Sequence, residues 1–600
     1  MTTGKHFSDE DLVSSSLLGL VRCSNAAPLR LLRPFPEVRV VVRADVEPAS
    51  FGRVALVSGG GSGHEPGQVG YVGQGMLTAA VCGDVFASPS AEAVYRAIKA
   101  TTGSAGCLLI VMNYTGDRLN FGLAAERAKA EGLSVEMVVV GEDVALPRKK
   151  TGRRGLAGTV AVHKACGALA ERGASLEEVK AAGEAVAASM GTMGVSLTTC
   201  TIPGQPASGR LGPTEMEVGL GIHGEPGREK RPVASGRDVA RAMCDAVAKP
   251  GSNEYFEAPV GEEVVLLVNN LGATTPIEMT MLAGHCLDHC RGGLGLRVSR
   301  LLVGPFKTSL DMVGASVSLI RANVPGVGDF LELLDAPTKA PAWPKDAGRE
   351  PPASLEECFR DGGEDGGPST RRPAAGGAPD LGDGEREAAR GAILGACKEV
   401  SACRELCDGL DRLAGDGDCG STLAKGAAGI AADVEGGKFD FSTGSSLASC
   451  IASSVLRHMG GTSGAIYNIF FQAASTSLGA SEGGGSKYEA FAAAMAAGLK
   501  AIQKYGGAQP GDRTLVDALH PFVHSLSASS ATTPEAIEAD LRKALALAEE
   551  GAEGTKAMTD AILGRASYVP EKDLEGNADP GAVAACAWLK GMIEGLRQGR

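Results

Sequence analysis

The chain has 600 residues, 44% hydrophobic and 4% aromatic, with a formal charge of −13 at neutral pH. That length exceeds what one core serves, so about two to four domains are expected. The acidic balance leaves no basic surplus for phosphate backbones and argues against a nucleic-acid binder. The 15 scattered cysteines fit reduced thiols rather than a disulfide framework. No apolar run reaches the roughly 18–20 residues that span a bilayer. Residues 1–10 lack a basic-then-apolar signal, so a cytoplasmic location without membrane contact is expected.

In chain order, Val54–Val57 predicts a short buried strand. Every residue from Ser58 to Gly63 is then Gly or Ser, and His64 closes the loop. Glycine allows positive φ and close backbone approach to a ligand, so this strand end predicts a cradle for a small polar molecule. The alternative is a tight glycine turn beside a surface histidine. Helical patterns at Ala91–Ala100, Leu123–Glu131 and Leu176–Ser189 alternate with strand patterns at Cys107–Met112 and Val135–Val140. This alternation predicts an α/β segment over 1–190. A second α/β segment over 191–340 contains a strand at Val264–Asn269 and a helix at Thr275–His289. Asn113-Tyr114-Thr115-Gly116-Asp117 ends the strand Cys107–Met112. Ligands of open α/β sheets collect at such strand ends, so His64 and Asp117 are expected to face one crevice as an acid–base pair. The alternative is that Asp117 caps the following helix.

Gly219-x-Gly221-x-x-Gly224 formally matches a dinucleotide fingerprint, but Pro226 and Gly227 follow at once and deny it the required helix. What remains is His223 held between glycines, either a nucleophile or a structural loop residue. His285 and His289 share one helical face. With no glutamate between them, a helix face with buried cysteines is favoured over zinc.

Residues 341–384 are rich in Pro, Gly and charge and lack apolar periodicity, which predicts a flexible linker. From 385 to 600, helical composition recurs at Arg386–Leu413, Ser446–His458, Lys487–Tyr505, Thr514–Ala528, Pro534–Ala548 and Gly554–Leu563. This predicts an all-α domain. Asp411 ends a helical pattern, and Asp416 and Asp418 lie on a glycine turn able to fold back toward it. Three converging carboxylates suit magnesium with open positions for phosphate oxygens. A calcium-type loop or a solvated acidic turn stays open on these residues alone, although the EF-hand spacing is absent. Gly460–Gly464, Gly511–Thr514, Gly564–Tyr568 and Asp579–Ala582 are small-residue loops beside predicted helix starts or ends, suited to an anionic phosphate. Together with the acidic cluster they predict one nucleotide pocket. No P-loop motif occurs.

The assembled motifs resemble the dihydroxyacetone kinase family of the single-chain, ATP-dependent type, including its triokinase/FMN cyclase branch. The resemblance rests on Ser58–Pro66, Val81–Pro89, Asn113–Gly122, Arg153–Thr159, Gly219–Glu225 and Val268–Gly272 in the first part. In the second it rests on Asp416–Gly420, Gly460–Gly464, Gly511–Thr514, Gly564–Tyr568 and Asp579–Gly581. It implies a two-part α/β kinase domain followed by an eight-helix barrel, in a homodimer. It implies that His223 attacks the substrate ketone to form a hemiaminal. Gly61, Ser62, Gly63 and His64 would hold substrate hydroxyls, and Asp117 would act as the acid–base partner. Asp411, Asp416 and Asp418 would bind two Mg2+ ions. Asp418, Cys419, Gly420, Ser421, Thr462, Ser463, Gly506, Thr514, Leu515, Arg565, Asp579, Pro580 and Gly581 would contact ATP. The implied substrate is dihydroxyacetone, with D-glyceraldehyde as a second. Glu217 or Glu225 is expected to orient His223.

The chain departs from the family pattern in the first part. Met112 stands where the family usually has a substrate-contacting lysine, Lys307 where it prefers an apolar residue, and Gln68 at another commonly polar or histidine position. The competing expectations are cleavage of FAD to cyclic FMN in the same nucleotide pocket, often with Mn2+, and a non-catalytic ligand sensor.

Overall fold

The computed structural model describes residues 7, 9–24, 28–147, 152–206, 209–345, 349–354, 356–359, 380–480, 486–559, 561, 569 and 571–598. The chain forms two compact units, Met1–Arg360 and Asp361–Arg600. All 15 cysteines are free thiols. Among the described residues, no helix is long and apolar enough to cross a membrane.

The first unit holds two six-stranded sheets. The first comprises β1 (Leu29–Leu31), β2 (Val40–Arg43), β3 (Ala55–Ser62), β4 (Ala79–Val85), β5 (Cys107–Met112) and β6 (Val135–Val140), in the order β1-β2-β4-β3-β5-β6. The strands β4, β3, β5 and β6 run parallel. The chain passes from β3 to β4 on one side and then to β5 on the other. The carboxyl ends of β3 and its neighbours therefore flank a topological switch, where open α/β sheets place ligands. β5 is buried along its whole length, as expected of a central strand covered on both faces.

The second sheet comprises β7 (Met190–Ser196), β8 (Glu215–Val218), β9 (Glu229–Pro232), β10 (Glu263–Asn270), β11 (Arg297–Gly304) and β12 (Gly314–Arg321), in the order β11-β10-β12-β7-β8-β9. Only the β10–β11 pair is parallel. One apolar cluster runs from Leu56, Ile110 and Val138 of the first sheet to Val265 and Leu267 of the second, which fastens the two together.

Two boundaries differ from expectation. β3 continues through Ser62, so most of the glycine stretch is strand rather than loop. Pairing with β4 continues across a register shift between Gly60 and Ser62, and bare glycines allow that close approach. The helix expected at Leu123–Glu131 begins eight residues earlier, spanning Thr115–Ala130. Its first two turns bury only Asp117 and Phe121, too few apolar residues to show the helical period.

The second unit is helical, as expected. The predicted run Arg386–Leu413 is two helices, Asp383–Ala402 and Arg404–Ala414, broken at Cys403. Further helices span Cys419–Glu435, Gly444–His458, Gly461–Ala480, Lys487–Gly506, Val516–Ser527, Pro534–Gly554 and Pro580–Gln598. Counting the broken pair once, eight long helical stretches occur among the described residues. The helix expected at Gly554–Leu563 is corrected. The helix from Pro534 ends at Gly554, and only a short 3-10 turn, Thr555–Ala557, follows. Residues 560, 562 and 563 lie outside the described set. Inside the bundle is an apolar cavity of about 580 Å³ lined by residues such as Val455, Tyr467, Phe471, Met495 and Trp588.

Candidate functional site

Packing of the glycine stretch is what brings His64 into the first unit's pocket. A Cβ on Gly61 would lie 2.8 Å from the backbone of Phe86 and Ala87, and one on Gly63 would lie 2.9 Å from the Phe86 ring. Gly63 also takes a φ of +96°, which side-chain-bearing residues avoid. The tight seat stacks His64 on Phe86, with ring centroids 4.9 Å apart. Phe86 and Leu310, both against Gly63, themselves adopt left-handed φ values of 58° and 52°. Such backbone strain costs about 1–2 kcal/mol per residue and clusters at functional sites.

His64 is buried, and its Nδ1 lies 2.8 Å from the Thr308 carbonyl. That acceptor requires a proton on Nδ1, leaving the Nε2 lone pair free; Nε2 has no protein partner. Burial, reinforced by Lys307 and His223, holds this imidazole well below its ordinary pKa. Asp117 sits in the first turn of helix Thr115–Ala130, also buried, with Oδ1 unpartnered. A Cβ on Gly60 would lie 3.6 Å from its Oδ2, so the carboxylate rests over the glycine strand. Burial raises its pKa, opposed by Ser88, Lys307 and His223. His64 and Asp117 thus face one pocket, each with an unsatisfied atom, and share no hydrogen bond among the described residues.

His223 comes from the second sheet's side, on the turn after β8. Its ring meets three others edge-on: His64 and Tyr114 at 4.8 Å and Phe86 at 5.2 Å. Its Nδ1 lies 2.8 Å from Glu225 Oε1, and its backbone N–H donates to Glu225 Oε2 at 3.0 Å. Of the two candidate carboxylates, Glu225 therefore orients the ring. Glu217 instead accepts from the Gly227 N–H and pairs with Arg210. Burial would raise the pKa of Glu225, but its bonds to His223 outweigh this and hold it at about 2.

Sequence reasoning missed two supports. Arg154 donates to the Gly219 carbonyl at 2.7 Å and pairs with buried Asp143 at 2.6 Å, anchoring the start of the His223 loop. The segment after β11 ties both walls of the pocket. The Asn269 side chain accepts from the N–H groups of Phe306 and Lys307 and donates to the Lys307 carbonyl. Thr308 holds His64, and the Ser309 hydroxyl donates to the Ile222 carbonyl. Lys307 is itself buried, as are Met112 and Gln68, whose Nε2 lies 3.3 Å from the Met112 sulfur. Gly61 and Ser62 line the strand end, with the Ser62 hydroxyl donating to the Gly83 carbonyl.

In the second unit the acidic turn folds back as expected. One carboxylate oxygen of Asp411 accepts from the N–H groups of Gly417, Asp418 and Cys419 at 3.0, 3.0 and 3.1 Å. Ligand atoms of Asp411, Asp416 and Asp418 lie within 4.8 Å of one another. Such a set of hard, partly exposed oxygens fits a divalent cation that keeps open positions. Asp408, not singled out in the sequence, fixes Ser421 through its N–H and hydroxyl.

Around this cluster, Cys407 donates to the Pro580 carbonyl at 3.7 Å, and a Cβ on Gly581 would lie 3.6 Å from Leu515. The Asp579–Gly581 and Thr514–Leu515 loops therefore meet beside the helix bearing Asp411. Burial pushes Asp579 up to about 6. Gly420 packs on the Arg404 carbonyl. Thr462 and Ser463 open helix Gly461–Ala480, and Gly506 ends helix Lys487–Gly506. Arg565, with the whole of Gly564–Tyr568, lies outside the described residues. The face with His285 and His289 holds buried Cys286 and Cys290, and His289 bonds Asp245 at 2.6 Å, in keeping with a structural role.

A Dak1 domain model matches residues 24–342 and a DAK2 domain model matches residues 413–594. A putative 3,4-dihydroxy-2-butanone kinase of Solanum lycopersicum is 44% identical over 593 residues, covering 98% of this chain and 97% of that protein. The Homo sapiens triokinase/FMN cyclase is 41% identical over 594 residues, with 97% of each chain covered. The crystal structure of the dihydroxyacetone kinase from C. freundii in complex with AMP-PNP and Mg2+ superposes with a TM-score of 0.64 at 35% identity. It covers 99% of this chain and 100% of that one.

Proposed function

The chain belongs to the dihydroxyacetone kinase family, with both of its domains on one polypeptide, and from that premise we propose that it phosphorylates dihydroxyacetone with ATP. The observation that carries this reading is the convergence of three reactive groups on one pocket. His223 is oriented by Glu225, His64 presents a free Nε2, and Asp117 presents a free Oδ1.

His223, with its Nδ1 proton directed at Glu225, attacks the ketone carbon through Nε2. As the C–N bond forms, the carbonyl oxygen gains a proton and the ring releases its Nδ1 proton, leaving a neutral hemiaminal. His64 Nε2 accepts a hydrogen bond from a substrate hydroxyl. Asp117, raised by burial, takes the proton of the hydroxyl that attacks the γ-phosphorus. Glycerol has no carbonyl and is refused at the capture step. In the second unit, Asp411, Asp416 and Asp418 would hold two Mg2+ ions. The loops at Gly420–Ser421, Thr462–Ser463, Thr514–Leu515 and Asp579–Gly581, with Cys419, Gly506 and Arg565, would bind ATP. Divalent cations bound there neutralise phosphate charge. D-Glyceraldehyde offers a carbonyl to the same capture and is a second substrate. Domain limits of 1–190, 191–340, 341–384 and 385–600, a homodimer and a cytoplasmic location complete the reading.

ATP turnover with magnesium, measured with dihydroxyacetone, D-glyceraldehyde and glycerol for wild type and His223→Ala, tests it. Turnover with dihydroxyacetone, none with glycerol, and loss in the variant are expected. Absence of ketone-dependent turnover in the wild type would overturn the reading. The relatives named triokinase/FMN cyclase favour a second activity, cleavage of FAD to cyclic FMN at the cation cluster, with Mn2+ as an alternative ion.

A further inference from the structure

Lys307 is 3% exposed, yet its ammonium makes no hydrogen bond or ion pair among the described residues. A buried unpaired ammonium is costly unless something else completes it. The backbone around it is fixed: Asn269 binds the N–H and the carbonyl of Lys307, and Tyr71 donates to the Phe306 carbonyl at 2.7 Å. A methyl group placed on Gly67 would lie 3.5 Å from Nζ, so the ammonium sits over the floor that follows the His64 loop. The groups facing it are His64, Glu65, Asp117, Glu142 and His163. Buried atoms near it that lack partners are His64 Nε2, Gln68 Oε1 and Asp117 Oδ1, together with Glu142 Oε2 and both ring nitrogens of His163. The Lys307 donor thus lies beside the open acceptors of the His64–Asp117 pocket, and a small polyhydroxylated molecule would complete that pattern. Burial also lowers the Lys307 pKa to about 8, against the pull of Asp117, Glu65 and Glu142.

We propose that Lys307 is a specificity-determining residue that donates to the substrate hydroxyl on the carbon not phosphorylated, so that the pocket selects ketones hydroxylated on both sides of the carbonyl. This rests on the kinase reading above. The end of β5 closes the same floor with a sulfur, Met112, beside Gln68. A lysine introduced there is expected to supply a donor to the same pocket.

The test compares dihydroxyacetone with hydroxyacetone, which lacks the second hydroxyl, in wild type, Lys307→Met and the reciprocal swap Met112→Lys/Lys307→Met. Lys307→Met is expected to lower kcat/KM for dihydroxyacetone about 10- to 100-fold and for hydroxyacetone less than about 3-fold, which collapses the preference. The swap is expected to restore most of the preference. An equal loss on both substrates marks a structural role and overturns the proposal, as does no loss on either. If Lys307→Met does not fold, as judged by circular dichroism, Lys307→Leu, which also lacks a donor, is read in the same way. Failure of the wild type to turn over either ketone defeats the kinase reading instead, and is seen before any variant is made.

Discussion

Glu225 shows how one side chain can serve both stability and chemistry. Its two oxygens hold the backbone and the ring of His223 at once, so the direction of the proposed nucleophile is set by a neighbour two positions along the chain. The price is a partly buried charge, and the bonds to His223 more than offset it, holding the carboxyl at about 2 against an ordinary 4.5. A depressed acid stabilises the fold fully above its unfolded pKa and loses that contribution as pH falls toward its folded pKa. The difference in urea midpoint between wild type and Glu225→Gln should therefore hold steady above about pH 5 and shrink between about pH 4.5 and 2. A difference that does not change over this range would show that the carboxylate's charge contributes nothing. In turnover, the same variant should lose about 10- to 100-fold in kcat/KM, as outer partners of reactive histidines do.

At the scale of elements, the His223 loop depends on a buried ion pair outside it. Arg154 and Asp143 are both largely buried, and Arg154 reaches across to the Gly219 carbonyl. Arg154→Ala leaves the Asp143 charge uncompensated and should cost about 3–5 kcal/mol, read as a fall in the urea midpoint. The strand Cys107–Met112 was legible because burial on both faces leaves an unbroken apolar run, and the edge strand Val135–Val140 was legible from its valines although Glu136 interrupts the run and Val139 is exposed. The helices Cys419–Glu435 and Gly461–Ala480 were marked only by the loops at their starts, since their Gly, Ala and Ser content blurs the period. The break at Cys403 has no Pro or Gly to announce it. Composition made His64, Asp117, His223 and the aspartate cluster visible. The role of Thr308 was invisible, because it acts through a backbone carbonyl 244 residues from His64, and any residue type carries one.

For the whole molecule, the two units carry separable chemistry. Asp411→Asn weakens both the acceptor that folds the acidic turn and a proposed cation ligand, so ATP-dependent turnover should fall by about 100-fold or more. Capture of the ketone at His223, read by NMR of carbonyl-labelled dihydroxyacetone, should persist in that variant. FAD cleavage, if carried by the same cluster, falls with Asp411→Asn and survives His223→Ala. The two units also differ in how their sites are assembled. Asp411, Asp416 and Asp418 lie close together in sequence, and the loops proposed to bind ATP join helices of the same unit. The first unit's pocket instead draws His64 and Asp117 from segments that follow strands of one sheet, and His223, Thr308 and Lys307 from segments that follow strands of the other. A polypeptide severed at 360/361 would keep each site whole in one piece. One severed between β6 and β7 would leave two fragments, neither holding a working pocket, because the carbonyl that fixes the proton on His64 would belong to the other molecule.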